Sequence, residues 1–270
     1  MYLLESLFTY TFYHPKNPRN KVSWIMSLDS KDTLDYALFG SSRCIHTINP
    51  SIINNRLGTN GLNLAYQASN PLEVKLTLKT LLKRNHVKRI FVQVDYSYNQ
   101  IGPHPLAEIP WMPFIKEPFV YDELKQYDEK YTYLKNIPFY RYMKYDSKIG
   151  FRDLLFNYTK KSAIPENFGY APKYDIMQKY EANKSKPKAI KNPHIDDVMK
   201  ICKERGIIVE FFTAPIYLFK GDNSGLRKML PNYTDFTSSI TDRNKFQDNT
   251  HINDNGAKEF TEIFLNHYFK

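Results

Sequence analysis

The alternation of short apolar strands with amphipathic helices is the feature that most limits the fold of this chain. The clearest strand covers residues 87–94, and a helix is predicted before it over residues 71–84. A second pair, with a helix over 194–205 and a buried strand over 207–212, lies nearer the C-terminus. Strands that alternate with helices form a mostly parallel sheet covered on both faces. The sequence therefore predicts an α/β fold with three layers, α/β/α.

Three further elements are predicted towards the ends of the chain. Residues 36–39 and 61–65 are expected to form short strands, and residues 255–268 carry apolar side chains at helical spacing. The length of 270 residues fits a single domain, residues 1–270.

Residues 96–193 break this alternation. The segment is rich in Pro, Tyr, Lys and Phe, and we expect a large aromatic and basic insertion, part helical and part irregular. Long excursions from α/β folds often carry specificity. The insertion is therefore predicted to cover or wall the functional site.

Residues 1–30 are predicted to form an N-terminal arm. The first 13 residues are apolar and aromatic but have no basic start and no cleavage site of small residues, so they do not resemble a signal peptide. No run approaches 18 apolar residues, the length of a membrane-spanning helix. Two interpretations stay open: a helix packed on the body, or the stub of a membrane anchor that associates with a membrane through the N-terminus.

The charge balance predicts an anionic neighbour. Lys and Arg number 38 against 28 Asp and Glu, which gives a formal net charge of +10. A polyanionic glycan, a membrane surface or a nucleic acid would suit this charge, although surplus lysines can also simply solvate the fold. The basic clusters at residues 83–89 and 184–191 carry no nucleic-acid-binding signature, so no specific nucleic acid partner is expected.

No cofactor and no metal are expected. The two cysteines, Cys44 and Cys202, cannot form a metal site alone, and they do not decide the cellular compartment. The sequence has no phosphate-binding loop and no dinucleotide fingerprint.

A serine pair follows the first predicted strand, in Gly40-Ser41-Ser42. In open parallel sheets, ligands bind at the carboxyl ends of the strands. A serine at the start of a helix there lies beside free backbone N–H groups, which favour a developing oxyanion. The alternative is structural, because Ser is also a preferred residue at a helix N-cap.

A carboxylate and an imidazole stand three residues apart before the last helix, as Asp248 and His251. At this spacing the carboxylate can orient the imidazole and leave its other nitrogen to take a proton from a serine. In the alternative, the segment is only a turn in which Asn253 or Asp254 caps the helix. The six other histidines show no comparable partner and are treated as structural: His14, His46, His86, His104, His194 and His267.

Both segments resemble the SGNH (GDSL-type) hydrolases. Gly40-Ser41-Ser42-Arg43 is similar to the first block of that family, and Asp248-Asn249-Thr250-His251 to its last block, Asp-x-x-His. The following Ile-Asn-x-x-Gly-Ala is typical of the branch that acts on envelope polysaccharides, which includes proteins related to alginate acetylation and to D-alanyl transfer. The resemblance implies a flavodoxin-like fold with Ser42 as nucleophile, His251 as general base and Asp248 as its orienting carboxylate. Ser41 is the alternative nucleophile.

The middle blocks of the family match less closely. Residues 63–68 resemble the second block, Asn-x-x-x-x-Gly, with Ala68 in place of the glycine. The resemblance implies an oxyanion hole made by the backbone N–H groups of Ser42 and Ala68. The asparagine of the third block is missing, and its loss removes a donor worth about 3 kcal/mol of transition-state stabilisation. Ser97, Asn99 or a residue of the insertion is the candidate replacement.

The expected function is a serine-dependent esterase or O-acyltransferase. The substrate would be an acyl ester, with acetyl as the expected acyl group, of a carbohydrate or cell-envelope polysaccharide; the expected partner is thus a carbohydrate or an acylated small molecule. The alternative is a catalytically impaired protein of the same fold that binds or assembles glycans, and a nucleic-acid-binding protein is a third hypothesis that rests on charge alone. The cell envelope or periplasmic side is the expected location, with the cytoplasm as the alternative.

Overall fold

The computed structural model describes residues 1–29 and 33–270. In these residues a sheet of five parallel strands forms the centre of the molecule, in the order β2-β1-β3-β4-β5. The strands are β1 Thr33–Phe39, β2 Gly61–Asn63, β3 His86–Gln93, β4 Ile208–Thr213 and β5 Tyr233–Asp235. This order is that of flavodoxin-like folds. The predicted α/β fold, a parallel sheet between helical layers, is confirmed.

Helices cover both faces of the sheet and fill the insertion. The first five are α1 Tyr2–Tyr13, α2 Lys21–Met26, α3 Ser42–Ile45, α4 Pro50–Leu57 and α5 Pro71–Leu82. The insertion carries α6 Pro118–Leu124, α7 Lys130–Asn136, α8 Tyr140–Lys144, α9 Asp146–Ile149, α10 Phe151–Thr159 and α11 Ala163–Glu166. The last three are α12 Pro193–Glu204, α13 Ser224–Met229 and α14 Asp254–Tyr268, and short 3₁₀ helices cover Ile109–Phe114 and Arg243–Lys245.

The core has one layer on each face of the sheet, as the alternation of side chains along a strand requires. On β3, Phe91 belongs to the layer under α14, where its ring centroid lies 4.8 Å from that of Phe264. Its neighbours Ile90 and Val92 belong to the opposite layer, together with residues of α5 and α12. Each of these buried side chains contributes about 1.5–3 kcal/mol of hydrophobic stabilisation.

The predicted helix over 71–84 corresponds to α5, which begins as its sequence indicates. The side chain of Asn70 accepts from the N–H of Leu72, and the carboxylate of Glu73 accepts from the N–H of Asn70. Pro71 occupies the first turn, where its missing N–H costs nothing. The helix ends at Leu82, two residues before the predicted end.

The N-terminal arm consists of α1 and α2 within residues 1–29; residue 30, the predicted end of the arm, lies outside the described residues. Phe8 and Phe12 of α1 are buried against the insertion, and the rings of Phe8 and Tyr142 are 5.1 Å apart. Leu3 and Tyr10 on its other side are exposed. No helix in the part of the chain that the structure describes has the length and apolar character needed to cross a membrane.

The insertion combines short helices with an extended segment that returns to the sheet edge. After α11 the chain runs without regular structure to residue 192. Along this path the carbonyl of Lys173 accepts from the N–H of Asp254, and the N–H of Met177 donates to the carbonyl of Phe246. The insertion therefore contacts the start of α14, next to the segment that carries Asp248 and His251.

Candidate active site

The carboxyl end of β1 turns sharply into α3 at Gly40. Its φ of +141° is one that L side chains rarely adopt, and a Cβ there would lie 2.8 Å from the Cβ of Gln93. Glycine is therefore required at this turn. The turn presents Ser41 and Ser42 at the edge of the sheet where ligands bind in parallel α/β folds.

The two serines have different partners. Ser41 is the N-cap of α3: its Oγ accepts from the N–H of Arg43 and donates to Oε1 of Gln93 at 2.9 Å. Ser42 Oγ instead lies 2.9 Å from Nε2 of His251, a residue 209 positions further along the chain. The capping role and the contact with the imidazole thus belong to neighbouring serines, and Ser42 is the one placed as a nucleophile would be.

Asp248 holds the imidazole from the other side. Its Oδ2 lies 2.8 Å from Nδ1 of His251. Oδ1 accepts from the backbone N–H groups of Thr250 and His251, both at 2.9 Å, which closes a tight turn around the carboxylate. Asn253 caps α14 through Gly256 N–H, so the capping function and the Asp/His pair again use separate residues.

The electrostatics of this pair assign the proton on the imidazole. Burial by itself would raise the pKa of Asp248, but hydrogen bonds from His251 and from the backbone of Thr250 outweigh it and hold that pKa well below its usual value. An ionised carboxylate accepts a hydrogen bond, so Nδ1 of His251 carries the proton. Nε2 is then free to accept the proton of the Ser42 hydroxyl.

Arg43 joins the two ends of the site, a role that no local sequence pattern indicates. The side chain is fully buried and forms an ion pair with Asp95, at 3.0 Å. Its Nε donates to the carbonyl of Thr250 at 3.1 Å. Its Nη2 donates to the carbonyls of Ala214 and Pro215, just after β4. One side chain therefore joins the Ser42 turn to the segment that carries His251.

The predicted oxyanion hole has two backbone donors available. The N–H groups of Ser42 and Ala68 have no acceptor among the described residues. Asn63 shapes the loop that carries Ala68, because its side chain accepts from the N–H of Ala65 and donates to the carbonyls of Cys44 and Ile48. Ala68 has a φ of 59°, in the left-handed region that favours glycine.

The side chains of Ser97 and Asn99 do not complete this hole in the structure. Asn99 is engaged with the backbone of Lys188, to which it donates at 3.1 Å and from which it accepts at 2.7 Å. Ser97 lines a separate small cavity between β3 and α5. Asp95, two residues after β3, accepts from Arg43 and is therefore not a donor to an oxyanion.

His46, treated as structural from sequence, lies beside the triad. Its ring centroid is 5.9 Å from that of His251. Burial lowers the pKa of His46 to about 4, and its Nδ1 lies 2.6 Å from the carbonyl of Ala171. A neutral imidazole that donates to this carbonyl adds no positive charge next to His251. No local spacing in the sequence indicates that His46 lies beside His251, because α3 is what places it there.

Two openings flank the triad. A polar cleft of about 410 Å³ is lined by Tyr96, Asn249 and Thr250 on the Asp248 side. A second cavity of about 540 Å³ lies on the Ala68 side and reaches His46, Gln67 and Ala68. We call the latter the cationic cavity, since Arg19, Lys148 and Arg152 are among its lining residues.

Within residues 1–29 and 33–270, no group of three or more His, Cys, Asp or Glu side chains is placed to hold a metal ion. The arrangement is that of a hydroxyl nucleophile with an oriented general base. Compared with known proteins, the sequence matches no family model and has no significantly similar curated relative.

Proposed function

We propose that the chain is a serine-dependent esterase or O-acyltransferase of SGNH type. The substrate would be an acyl ester of a carbohydrate or cell-envelope polysaccharide. The single observation that carries the proposal is the unbroken chain of contacts from Ser42 Oγ through His251 to Asp248, at 2.9 and 2.8 Å. Hydrogen-bonded contacts of this kind activate a hydroxyl that is otherwise a poor nucleophile.

The reaction follows from these positions. Ser42 Oγ attacks the acyl carbonyl carbon as Nε2 of His251 accepts its proton. The oxyanion receives hydrogen bonds from the N–H groups of Ser42 and Ala68. When the intermediate collapses, the imidazolium returns the proton to the departing alcohol and an acyl-serine remains. Water or a sugar hydroxyl then gives its proton to Nε2 and attacks the acyl-serine. The bond to Ser42 Oγ breaks, the imidazolium returns the proton to that oxygen, and an acid or a new ester is released.

Asp248 contributes through orientation and charge. It keeps the proton of His251 on Nδ1 and stabilises the imidazolium that forms during each step. Arg43 holds the carbonyl of Thr250, between these two residues, and thereby keeps the base in line with the nucleophile.

The test is hydrolysis of 4-nitrophenyl acetate and covalent labelling by a fluorophosphonate. We expect wild-type protein to release nitrophenol and to gain one label, found by mass spectrometry on Ser42. Ser42→Ala should abolish both. Ser41→Ala is the matched control, because it removes a neighbouring hydroxyl that caps α3 but does not contact His251. Equal background rates from wild type and Ser42→Ala would end the proposal.

A second candidate function is supported by the oxyanion side. The amide of Asn99, one of the two candidate replacements for the family asparagine, is occupied by the backbone of Lys188. This favours a catalytically impaired protein that binds or assembles glycans. Binding of an anionic polysaccharide that is equally tight in wild type and Ser42→Ala, without any ester turnover, would support it.

The expected location in the cell envelope or on the periplasmic side is part of the same proposal. It rests on the envelope-polysaccharide branch that the motifs resemble and on the net charge of +10, which suits an anionic polymer. Immunodetection after fractionation of intact cells tests it, and recovery in the cytoplasmic fraction alone would contradict it.

A further inference from the structure

The cationic cavity is larger than an acetyl group requires. It encloses about 540 Å³. An acetyl group has three non-hydrogen atoms, each with about the volume of a water molecule, so it occupies only about 100 Å³. The cavity volume lies instead in the range of ligand pockets, about 300–1,000 Å³. Since the cavity reaches Ala68, a group bound in it would lie next to the proposed oxyanion hole.

The walls of the cavity suit an aliphatic chain better than a sugar ring. Ile45, Ile109 and Ile149 are buried residues of its lining. Tyr66 is its one aromatic lining residue among the described residues, and its hydroxyl is already engaged as the acceptor of Trp111 Nε1–H at 2.7 Å. Sugar rings are generally bound by exposed aromatic faces. Methylene groups instead gain about 25 cal/mol for each Å² removed from water.

Positive charge surrounds the same space. Arg152 and Lys148 are exposed at its edge, and Arg19 lines it from the N-terminal arm. In the described parts of the chain, no carboxylate lies within ion-pair distance of Arg19 or Lys148. Nε of Arg19 is a buried donor that has no hydrogen-bond partner in residues 1–29 and 33–270.

One buried carboxyl group faces this charge, that of Asp153. It is only 8% exposed, and its Oδ2 has no hydrogen-bond partner among the described residues. The nearest cation, Arg152, is 3.9 Å away. A buried polar atom without a partner has a cost that a bound ligand can remove. Burial raises the pKa of Asp153.

We propose that the cationic cavity is an acyl pocket, and that it takes an aliphatic acyl group longer than acetyl whose far end carries a carboxylate or phosphate. This inference rests on the proposed function, since it assigns the acyl half of the substrate. The cavity walls bind the methylene groups, and the cations at the edge bind the charged end. The carbonyl carbon lies between Ser42 Oγ and the N–H of Ala68.

The test compares three esters of 4-nitrophenol: the acetate, the neutral hexanoate and the adipate hemi-ester, which matches hexanoate in length and adds a carboxylate. In each case Ser42 Oγ forms the bond to the acyl carbon, nitrophenolate leaves, and water then releases the free acid. We expect kcat/KM to rise from acetate to hexanoate, and to rise at least another tenfold for the adipate hemi-ester.

Two pairs of substitutions locate the effect. The variant with Lys148→Gln and Arg152→Gln should lose most of the preference for the adipate hemi-ester over hexanoate. The control with Lys200→Gln and Lys203→Gln on exposed positions of α12 removes the same charge elsewhere and should keep it. A wild-type preference for acetate, or equal rates with hexanoate and the adipate hemi-ester, would overturn the proposal.

A binding measurement separates this proposal from the proposed function. Calorimetric titration of wild-type protein with adipate, hexanoate and 5-phosphonopentanoate requires no catalysis. If no ester is hydrolysed but adipate or the phosphonate binds and the Lys148/Arg152 variant does not bind, the acyl pocket stands and the esterase proposal fails. If neither adipate nor 5-phosphonopentanoate, which each carry a second charged end, binds more tightly than hexanoate, the pocket proposal fails. The tighter of the two anions identifies carboxylate or phosphate as the preferred end group.

Discussion

The two sides of Ser42 are held in different ways. On the side that accepts the proton, His251 is fixed by Asp248, and the segment between them is fixed by the buried guanidinium of Arg43. On the side where an oxyanion would form, the backbone N–H groups of Ser42 and Ala68 have no acceptor in the part of the chain that the structure describes, and the amide of Asn99 is occupied by Lys188. In the proposed mechanism, side chains would therefore govern proton transfer, whereas the course of the main chain around Ala68 would form the oxyanion site.

The largest expected effect is on the proton-accepting side. Asp248→Asn replaces an acceptor by an amide that no longer fixes the proton of His251 on Nδ1. We expect kcat for 4-nitrophenyl acetate to fall by about 10⁴, the size seen when a triad carboxylate is amidated. Thermal unfolding of the variant checks that the fold is kept. A loss of less than tenfold would show that side-chain orientation is not what distinguishes this side.

Arg43→Met should lower the free energy of unfolding of the protein. It leaves the carboxylate of Asp95 buried without its cation, which costs about 3–5 kcal/mol. Urea unfolding measures the loss, and activity in the folded fraction should also fall because the carbonyl of Thr250 loses its donor. Replacing both partners, with Arg43→Met and Asp95→Leu, should recover much of the stability without the activity. Equal stability of Arg43→Met and wild type would contradict the role of Arg43 in joining the Ser42 turn to the segment that carries His251.

Lys21, on the oxyanion side, should give stability a pH dependence. Its Nζ contacts the carbonyls of Asn63 and Gly169, and burial lowers its pKa from 10.5 to about 7. From about pH 7 to 10 the unfolded chain therefore binds a proton that the folded protein has released, and stability rises with pH.

The slope from this one group is at most about 1.4 kcal/mol per pH unit. Denaturant unfolding at several pH values should show it as the difference between wild type and Lys21→Met. Lys200→Met, at an exposed position, is the control, and its free energy of unfolding should change with pH in parallel with that of wild type. Parallel curves for Lys21→Met as well would mean that Lys21 keeps its proton in the folded protein.

The smallest effect is expected at Ala68. Ala68→Gly keeps the backbone N–H but removes the strain of a left-handed backbone conformation. This conformation costs a residue with a Cβ about 1–2 kcal/mol. Part of this gain is offset by the greater freedom of glycine in the unfolded chain, so we expect stabilisation of about 0.5–1 kcal/mol with unchanged kcat. The melting temperature and kcat test this, and a large loss of kcat would show that the methyl group itself contacts substrate.

The sheet and its long helices could be predicted because their signals are local. The apolar run of β3 and the Asn70, Pro71 and Glu73 cap of α5 act within a few residues. The strand β5 was not predicted, since three half-buried residues show no periodicity. The predicted strand 61–65 is also shorter in the structure, where β2 covers Gly61–Asn63.

The site divides in the same way. Ser42, Asp248 and His251 could be selected because each lies in a short motif. The role of Arg43 could not, because its partners come from three separate segments that only the folded chain brings together. The hydrogen bond between Asn99 and Lys188 could not be predicted for the same reason, because the two residues are 89 positions apart in the sequence.

The separation of 209 residues between Ser42 and His251 has a consequence for biosynthesis. A ribosome exposes the serine 209 residues before the imidazole. Until then the growing polypeptide has a hydroxyl without its base, so under the proposed function it would not yet form an acyl-serine. All five strands of the sheet precede His251 in the chain, so the proposed reactivity would wait until they have been synthesised.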